Sequence, residues 1–311
     1  MPSKISFGKY RALQRASTRD GVFTILAVDH ADALRRVMNP AAPQTVSDAE
    51  IIAFKQDVAG ILAVEASGVL LDPVYGAAQA VEAHLVSHIG LLVELEKADY
   101  GMEPMPRHIE IDPAWNVSKI KRMGADGVKL FFYYNPADET YAAAQDQVIR
   151  QVVADCAAQE IPLYAEPIMV DTQHFTAQMI ESAQRVANLG VDILKLEFPS
   201  RGNPREWNRA CHILSETVDI PWVLLSAGVD YETYAEQVET ACQMGASGFM
   251  VGRAVWGDAA VITDRQLREE WLYDEGRRRM RELSTLARRN GRPWWDKLSL
   301  DTITTDWFKT Y

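Results

Sequence analysis

The sequence predicts an α/β protein, a (β/α)8 TIM barrel with a C-terminal helical extension. Three observations carry the expectation. Eight short apolar runs rich in β-branched and aromatic residues recur along the 311 residues, longer amphipathic segments separate them, and all eight have passed by Trp256. Near-continuous apolar runs mark strands covered on both faces, as in a parallel sheet. Eight of them alternating with helices over roughly 230 residues match the usual size of a closed barrel. The competing architecture, a doubly wound open sheet, carries a glycine-rich GxGxxG turn after an early strand, and Val28-Asp-His-Ala-Asp32 contains none. The expected organisation is one domain over 1–311, with the barrel in about 21–260 and the extension in about 261–311.

The strands are expected at 22–28, 68–72, 91–95, 127–134, 162–166, 192–198, 222–226 and 248–252. The helices between them are expected at 48–66, 138–159, 173–189, 204–217 and 231–244. Ser47 stands where an N-cap belongs, and Gly190 and Gly245 lie just past two helix ends. After Trp256 the pattern changes. Residues 265–289 read as a helix rich in Arg and Glu, followed by Pro293-Trp-Trp-Asp296 and Trp307-Phe308. Glu269, Glu270, Asp274, Glu275 and Glu282 interleave with the arginines, which describes a surface helix laced with ion pairs. The tryptophans then anchor the C-terminal segment on the barrel or on a sister subunit.

Composition narrows the classes of function. Thirty-two Lys and Arg against 43 Asp and Glu leave a formal charge of -11, which argues against a nucleic-acid partner or an anionic membrane surface. No apolar run approaches the eighteen or so residues of a membrane span, and no signal peptide opens the chain. Cys156, Cys211 and Cys242 are far apart without a CxxC spacing, so neither a disulfide scaffold nor a zinc ribbon is expected. These readings together describe a cytoplasmic protein.

The informative residues are charges inside apolar strands. Side chains alternate along a strand with period two. Lys129 therefore shares a face with Phe131 and Tyr133, Glu166 with Tyr164, and Lys195 with Ile193 and Glu197. If those faces point inward, Lys129, Glu166, Lys195 and Glu197 converge from three consecutive strands, which an apolar interior tolerates only as a mutually compensated cluster. One reading is a buried salt-bridge layer. The other is chemistry, because perturbed titrating groups at a barrel mouth are where reactions are usually found. A neutral lysine amine attacks a ketone to form an iminium, and a second cation nearby helps free that amine of its proton. A carboxyl such as Glu166 would shuttle the protons. After the last two strands, Leu225-Ser-Ala-Gly228 and Val251-Gly-Arg-Ala254 place small residues and Arg253 where barrels commonly hold a phosphate.

Taken together, Gly124-Ala-Asp-Gly-Val-Lys-Leu-Phe-Phe-Tyr-Tyr134, Ile161-Pro-Leu-Tyr-Ala-Glu166, Val191-Asp-Ile-Leu-Lys-Leu-Glu197, Leu225-Ser-Ala-Gly-Val229 and Val251-Gly-Arg-Ala-Val-Trp256 resemble the class I tagatose-1,6-bisphosphate aldolase family, which includes the sulfofructosephosphate aldolases. Leu95-Glu-Lys-Ala-Asp-Tyr-Gly101 is similar to a further segment of that family. The resemblance implies a carbon–carbon lyase acting on a small-molecule sugar phosphate, without metal or other cofactor, as a homo-oligomer. It implies Lys195 as the Schiff-base lysine, Glu166 as the acid/base and Lys129 as a supporting cation. Ser226, Gly228, Gly252 and Arg253 would bind the phosphate of dihydroxyacetone phosphate. Where the family carries Asp-Gln-Arg after the first strand, this chain has Asp29-His30-Ala31-Asp32. That places Asp29 and His30 at the substrate and leaves Arg35 or Arg36 to replace the missing arginine.

Two other readings stay open at this level. A metal-dependent barrel lyase or hydrolase would draw on His84 and His88, spaced to share one helical face outside the barrel. A phosphosugar-binding barrel without turnover would keep the same anion site and use no chemistry.

Overall fold

The computed structural model describes residues 2–97, 107–170, 174–309 and 311. Within them eight parallel strands close into a barrel: β1 (Phe23–Val28), β2 (Gly68–Leu71), β3 (Gly90–Glu94), β4 (Gly127–Tyr134), β5 (Leu163–Met169), β6 (Ile193–Leu196), β7 (Trp222–Leu225) and β8 (Gly248–Val251). Each pairs with its successor in sequence, and β8 returns to β1 with Phe23 opposite Gly248 and Leu26 opposite Val251. All eight expected strands are present; β5 continues to Met169 rather than stopping at Glu166.

The helices are α1 (Phe7–Ala16), α2 (Asp32–Met38), α3 (Asp48–Leu62), α4 (Ala77–Glu82), α5 (Val117–Arg122), α6 (Glu139–Ala158), α7 (Phe175–Ala187), α8 (Pro204–Thr217), α9 (Tyr231–Gln243), α10 (Arg253–Trp256), α11 (Arg265–Trp271) and α12 (Arg277–Asn290). Their starts follow local chemistry. Ser47 and Glu50 form a reciprocal capping box on α3, Asp138 accepts from the Tyr141 N–H at 3.0 Å on α6, and Asp230 accepts from the Thr233 N–H at 2.8 Å on α9. The helix expected from Gln173 begins at Phe175; Gln173 itself lies outside the described residues, as do Ala98 to Gly101 of the segment similar to the aldolase family. The helix expected at 265–289 is present without a break from Arg265 to Asn290, with a π-helical stretch at Leu272–Gly276 between α11 and α12. Its ion pairs are those expected, with Arg278 on Glu275 and Glu282 and Arg279 on Glu275.

One expectation fails outright. His84 and His88 do not share a helical face, because α4 stops at Glu82 and His84 takes a left-handed φ of 59° in the turn beyond. Both histidines are exposed. Among the described residues no helix is long and apolar enough to cross a membrane.

Two apolar layers hold the barrel. Outward side chains of the strands meet the helices, and the inward set of Phe23, Ile25, Leu70, Tyr164, Ile193 and Met250 fills the lower interior. The floor comes from α1, which the sequence reading did not anticipate, and from Trp294, one of the tryptophans expected to anchor the C-terminal segment on the barrel. Leu13 and Ala16 of α1 are fully buried against that inward set, as is Trp294 from the far end of the chain. Gly90 permits the approach, for a Cβ there would stand 2.4 Å from Cα of Ala16. Trp294 packs edge-on against Tyr10 at 4.8 Å and donates to Ser17 Oγ at 3.0 Å. Ser3–Lys4 and Leu298–Ser299 pair as a two-residue parallel ribbon beside it.

A floor made of packed apolar atoms is sensitive to truncation. Leu13→Ala is expected to lower unfolding free energy by about 2–5 kcal/mol, read from urea denaturation midpoints with the slope unchanged.

Candidate active site

Above this floor the inward positions turn polar. Along β6 the alternation that buries Ile193 among apolar neighbours lifts Lys195 one layer toward the C-terminal mouth. Along β4 and β5 the same alternation raises Lys129 and Glu166. At that mouth opens a cavity of about 410 Å³, lined among others by Asp29, His30, Glu166, Lys195, Ser226 and Arg253. Gly252, Glu197 and Arg36 also line it.

Lys195 Nζ donates to Glu166 Oε2 at 2.9 Å. The same oxygen stands 3.3 Å from Lys129 Nζ, so two strands contribute two ammonium groups to one carboxylate. Lys129 is not at the cavity wall. It is fully buried beneath it, 2.6 Å from Glu96 Oε1, 3.0 Å from Asp29 Oδ2 and 3.8 Å from Glu94 Oε2. The structure thus separates the two lysines, Lys195 facing the cavity and Lys129 set within a ring of acids.

Electrostatics follow from that ring. Burial pushes the Asp29 carboxyl upward, but Lys129 and Lys195 outweigh it and hold Asp29 below the usual carboxylate range. Its contribution to stability is therefore present above the ordinary carboxylate value and lost as pH falls toward the depressed one. His30 is pushed down to about 3 by burial, with Arg253, Lys195 and Lys129 adding to the effect and Asp29 opposing it. His30 is a neutral imidazole at neutral pH, set 3.4 Å from Asp29 Oδ1 and edge-on to Trp256 at 5.5 Å. Burial raises Glu197 although the Met169 N–H and Arg201 at 2.9 Å both favour its charge.

The phosphate-binding residues expected after the last strands also assemble. Ser226, Gly252 and Arg253 line the cavity. Gly228 does not reach it; with φ of 78° it lies under the Arg253 guanidinium, where a Cβ would come within 3.3 Å of Nη2. Ala227 beside it holds a φ of 48°, a strained conformation for a residue with a side chain. Of the two arginines weighed as replacements after Ala31, Arg35 is committed to the Val46 carbonyl, Asp48 and Tyr75, whereas Arg36 lines the cavity.

Sequence reasoning missed Glu94 and Glu96, and a signal for the first was present. Glu94 interrupts an apolar run just as Lys129 does. It also missed the buried pair of Lys55 and Asp72, which lies across α3 and the end of β2. Among the described residues no group of three or more His, Cys, Asp or Glu is arranged to hold a metal ion.

Comparison with known proteins bears on this site. The family model described as DeoC/LacD family aldolase matches residues 23–258. Tagatose 1,6-diphosphate aldolase 2 of Enterococcus faecalis is 30% identical over 331 aligned positions, covering 96% of this chain and 98% of the relative. Among solved structures, an archaeal fructose 1,6-bisphosphate aldolase is similar in fold with a TM-score of 0.62 at 19% identity, covering 90% of this chain and 99% of that one. Fructose-bisphosphate aldolase from Plasmodium falciparum is similar in fold with a TM-score of 0.72 at 14% identity, covering 94% and 98%.

The acid ring makes Lys129 costly to remove. Lys129→Met leaves Asp29, Glu96 and Glu166 short of a cation, with a loss of about 3–5 kcal/mol at neutral pH. Without that cation the carboxyl groups of Asp29 and Glu96 are pushed upward on folding by burial, so the loss grows as pH increases and shrinks as those acids protonate. Thermal unfolding of the variant and the unmodified protein from about pH 5 to about pH 8 measures the trend.

Proposed function

The chain belongs to the DeoC/LacD aldolase family and is a carbon–carbon lyase; from that premise we propose that it works by class I chemistry, with Lys195 forming the iminium. The observation that carries this reading is the contact of a cavity-facing lysine with a buried carboxyl, Lys195 Nζ to Glu166 Oε2 at 2.9 Å. The proposed substrate is a phosphorylated ketose of the tagatose-1,6-bisphosphate or sulfofructose-phosphate type, and the products are dihydroxyacetone phosphate and a three-carbon aldehyde.

In this reading Lys195 gives its proton to Glu166 and attacks the substrate ketone, forming a carbinolamine. Glu166 returns a proton to the departing hydroxyl, and water leaves as the iminium forms. Glu166, again a carboxylate, takes the proton of the C4 hydroxyl as the C3–C4 bond breaks. The aldehyde departs and the bonding electrons move into the iminium, leaving an enamine. Glu166 returns the proton to C3, and addition of water to the iminium releases dihydroxyacetone phosphate and restores Lys195. Ser226, the Gly252 backbone and Arg253 hold the phosphate of that fragment, while Asp29 and neutral His30 offer hydrogen bonds to its polar groups. Arg36 answers the far anionic end in place of the arginine that Ala31 lacks. We also read the chain as a cytoplasmic homo-oligomer. The exposed Val261, Leu267 and Tyr273 support an interface on the C-terminal extension, and light scattering reads the subunit number.

Borohydride reduction with dihydroxyacetone phosphate, followed by peptide mass mapping, tests the central step. The expected adduct is on Lys195 and is absent from Lys195→Met; an adduct elsewhere, or none, overturns the assignment. Arg36→Ala is expected to lower kcat/KM about 10- to 100-fold for a ketose phosphate ending in phosphate or sulfonate, and to change little for one with an uncharged end, as loss of one charge-assisted contact implies.

A further inference from the structure

The proposed phosphate contacts come from two neighbouring segments of chain. Ser226 follows β7 and leads into α9 at Tyr231, while Gly252 and Arg253 follow β8 and open α10. At the cavity the segments meet where the Arg253 guanidinium lies over Gly228. A second tie between the same segments lies outside the cavity lining, and it comes from the C-terminal extension.

That tie is Arg279 of α12. Its Nη1 donates to the Ala254 carbonyl at 3.2 Å and stands 2.8 Å from Asp258 Oδ2, both shortly beyond Arg253 in the chain. Its guanidinium carbon is 5.0 Å from the centre of the Tyr231 ring, in the first turn of α9. Nε donates to Glu275 Oε1 at 2.8 Å, and the Trp271 ring centre is 5.1 Å away. Only 13% of the side chain is exposed. Tyr231 is held in turn through its hydroxyl, which donates to Glu282 Oε2 at 2.6 Å. One planar fork thus reaches both segments, by hydrogen bond on one and by its face on the other.

The winding of the extension serves this contact. In an uninterrupted α-helix, residues eight apart project about 80° from one another. The π-helical stretch at Leu272–Gly276 accommodates an extra residue and brings Trp271 and Arg279 to within about 20° of one direction. Helix α10 needs outside support, for it is four residues long and has no side-chain cap at Gly252. Trp256 fixes its far end by donating to the Ala27 carbonyl at 2.9 Å, and Arg279 fixes the end that carries Arg253.

We propose that Arg279 is a positioning residue for the phosphate site: by holding α10 against the start of α9 it fixes the spacing between Arg253 and Ser226 at which a phosphate is gripped. This rests on the reading of Ser226, Gly252 and Arg253 as the phosphate contacts. Glu275 and Asp258 match the charge of Arg279, which does not line the cavity, so its effect passes through the backbone it ties. A phosphate held equally in the ground and transition states raises KM when it is lost and leaves kcat alone.

The test is borohydride trapping at Lys195 with dihydroxyacetone phosphate and with dihydroxyacetone, which lacks the phosphate. The proteins compared are the unmodified chain, Arg279→Ala, Arg279→Lys and Arg253→Ala. Arg279→Ala is expected to raise the half-saturating concentration of dihydroxyacetone phosphate about tenfold, with the saturating rate and the trapping of dihydroxyacetone within about twofold. Binding of inorganic phosphate, read by calorimetry and so independent of Lys195, is expected to weaken by a similar factor. Arg279→Lys keeps the charge but not the planar fork, and is expected to show the same selective shift, at least about threefold. Equal losses on the two ketones, an unshifted half-saturating concentration, or full rescue by lysine overturns the proposal. The phosphate reading still stands in those cases when Arg253→Ala is impaired selectively on the phosphorylated ketone. If Arg253→Ala treats both ketones alike, that reading falls and this one with it. Should Arg279→Ala fail to fold, Arg279→Lys decides by the same comparison.

Discussion

One carboxylate oxygen organises the upper half of the barrel. Glu166 Oε2 receives Lys195 from β6 and stands within 3.3 Å of Lys129 from β4, so three neighbouring strands are tied by charge where the floor below ties them by packing. An isolated ammonium in such an interior would be too costly to retain. Shared carboxylates make two of them tolerable, and the sharing fixes both lysines in direction. Only Lys195 is left facing the cavity, so the division of labour between identical side chains is set by burial and not by residue type.

The lower and upper layers place opposite demands on the same strands. β6 carries Ile193 in the apolar floor and Lys195 two residues later in the polar ceiling; β5 does the same with Tyr164 and Glu166. Period-two alternation allows both, because each step of two moves one layer without changing face. The change from oil-like to charged surroundings is thus completed within two residues of each strand.

Much of this was legible in the sequence. Eight apolar runs located the strands, and the charges at Lys129, Glu166 and Lys195 stood out because apolar neighbours surrounded them. The rest depended on information that periodicity does not carry. Helix α1 was missed because Phe7–Ala16 alternates Lys and Arg with small apolar residues and shows its use only against the barrel floor. The histidine pair failed because a helix end at Glu82 is decided by the chain's tertiary path rather than by spacing. Glu94 carried the same signal as Lys129, yet its pairing with Lys129 appears only when the neighbouring strands are laid side by side. Arg35 and Arg36 are adjacent and chemically identical, and only the three-dimensional direction of each distinguishes a structural tie from a cavity wall.

The ribbon that joins Ser3–Lys4 to Leu298–Ser299 has a consequence for the order of events during synthesis. A ribosome delivers α1 ahead of the eight strands and Trp294 after them, yet the barrel floor needs both. Until Trp294 emerges, the nascent chain carries eight strands whose apolar underside lacks one of its covers. Assembly of the floor waits for that residue, and the exposed underside during the interval is what a chaperone would find.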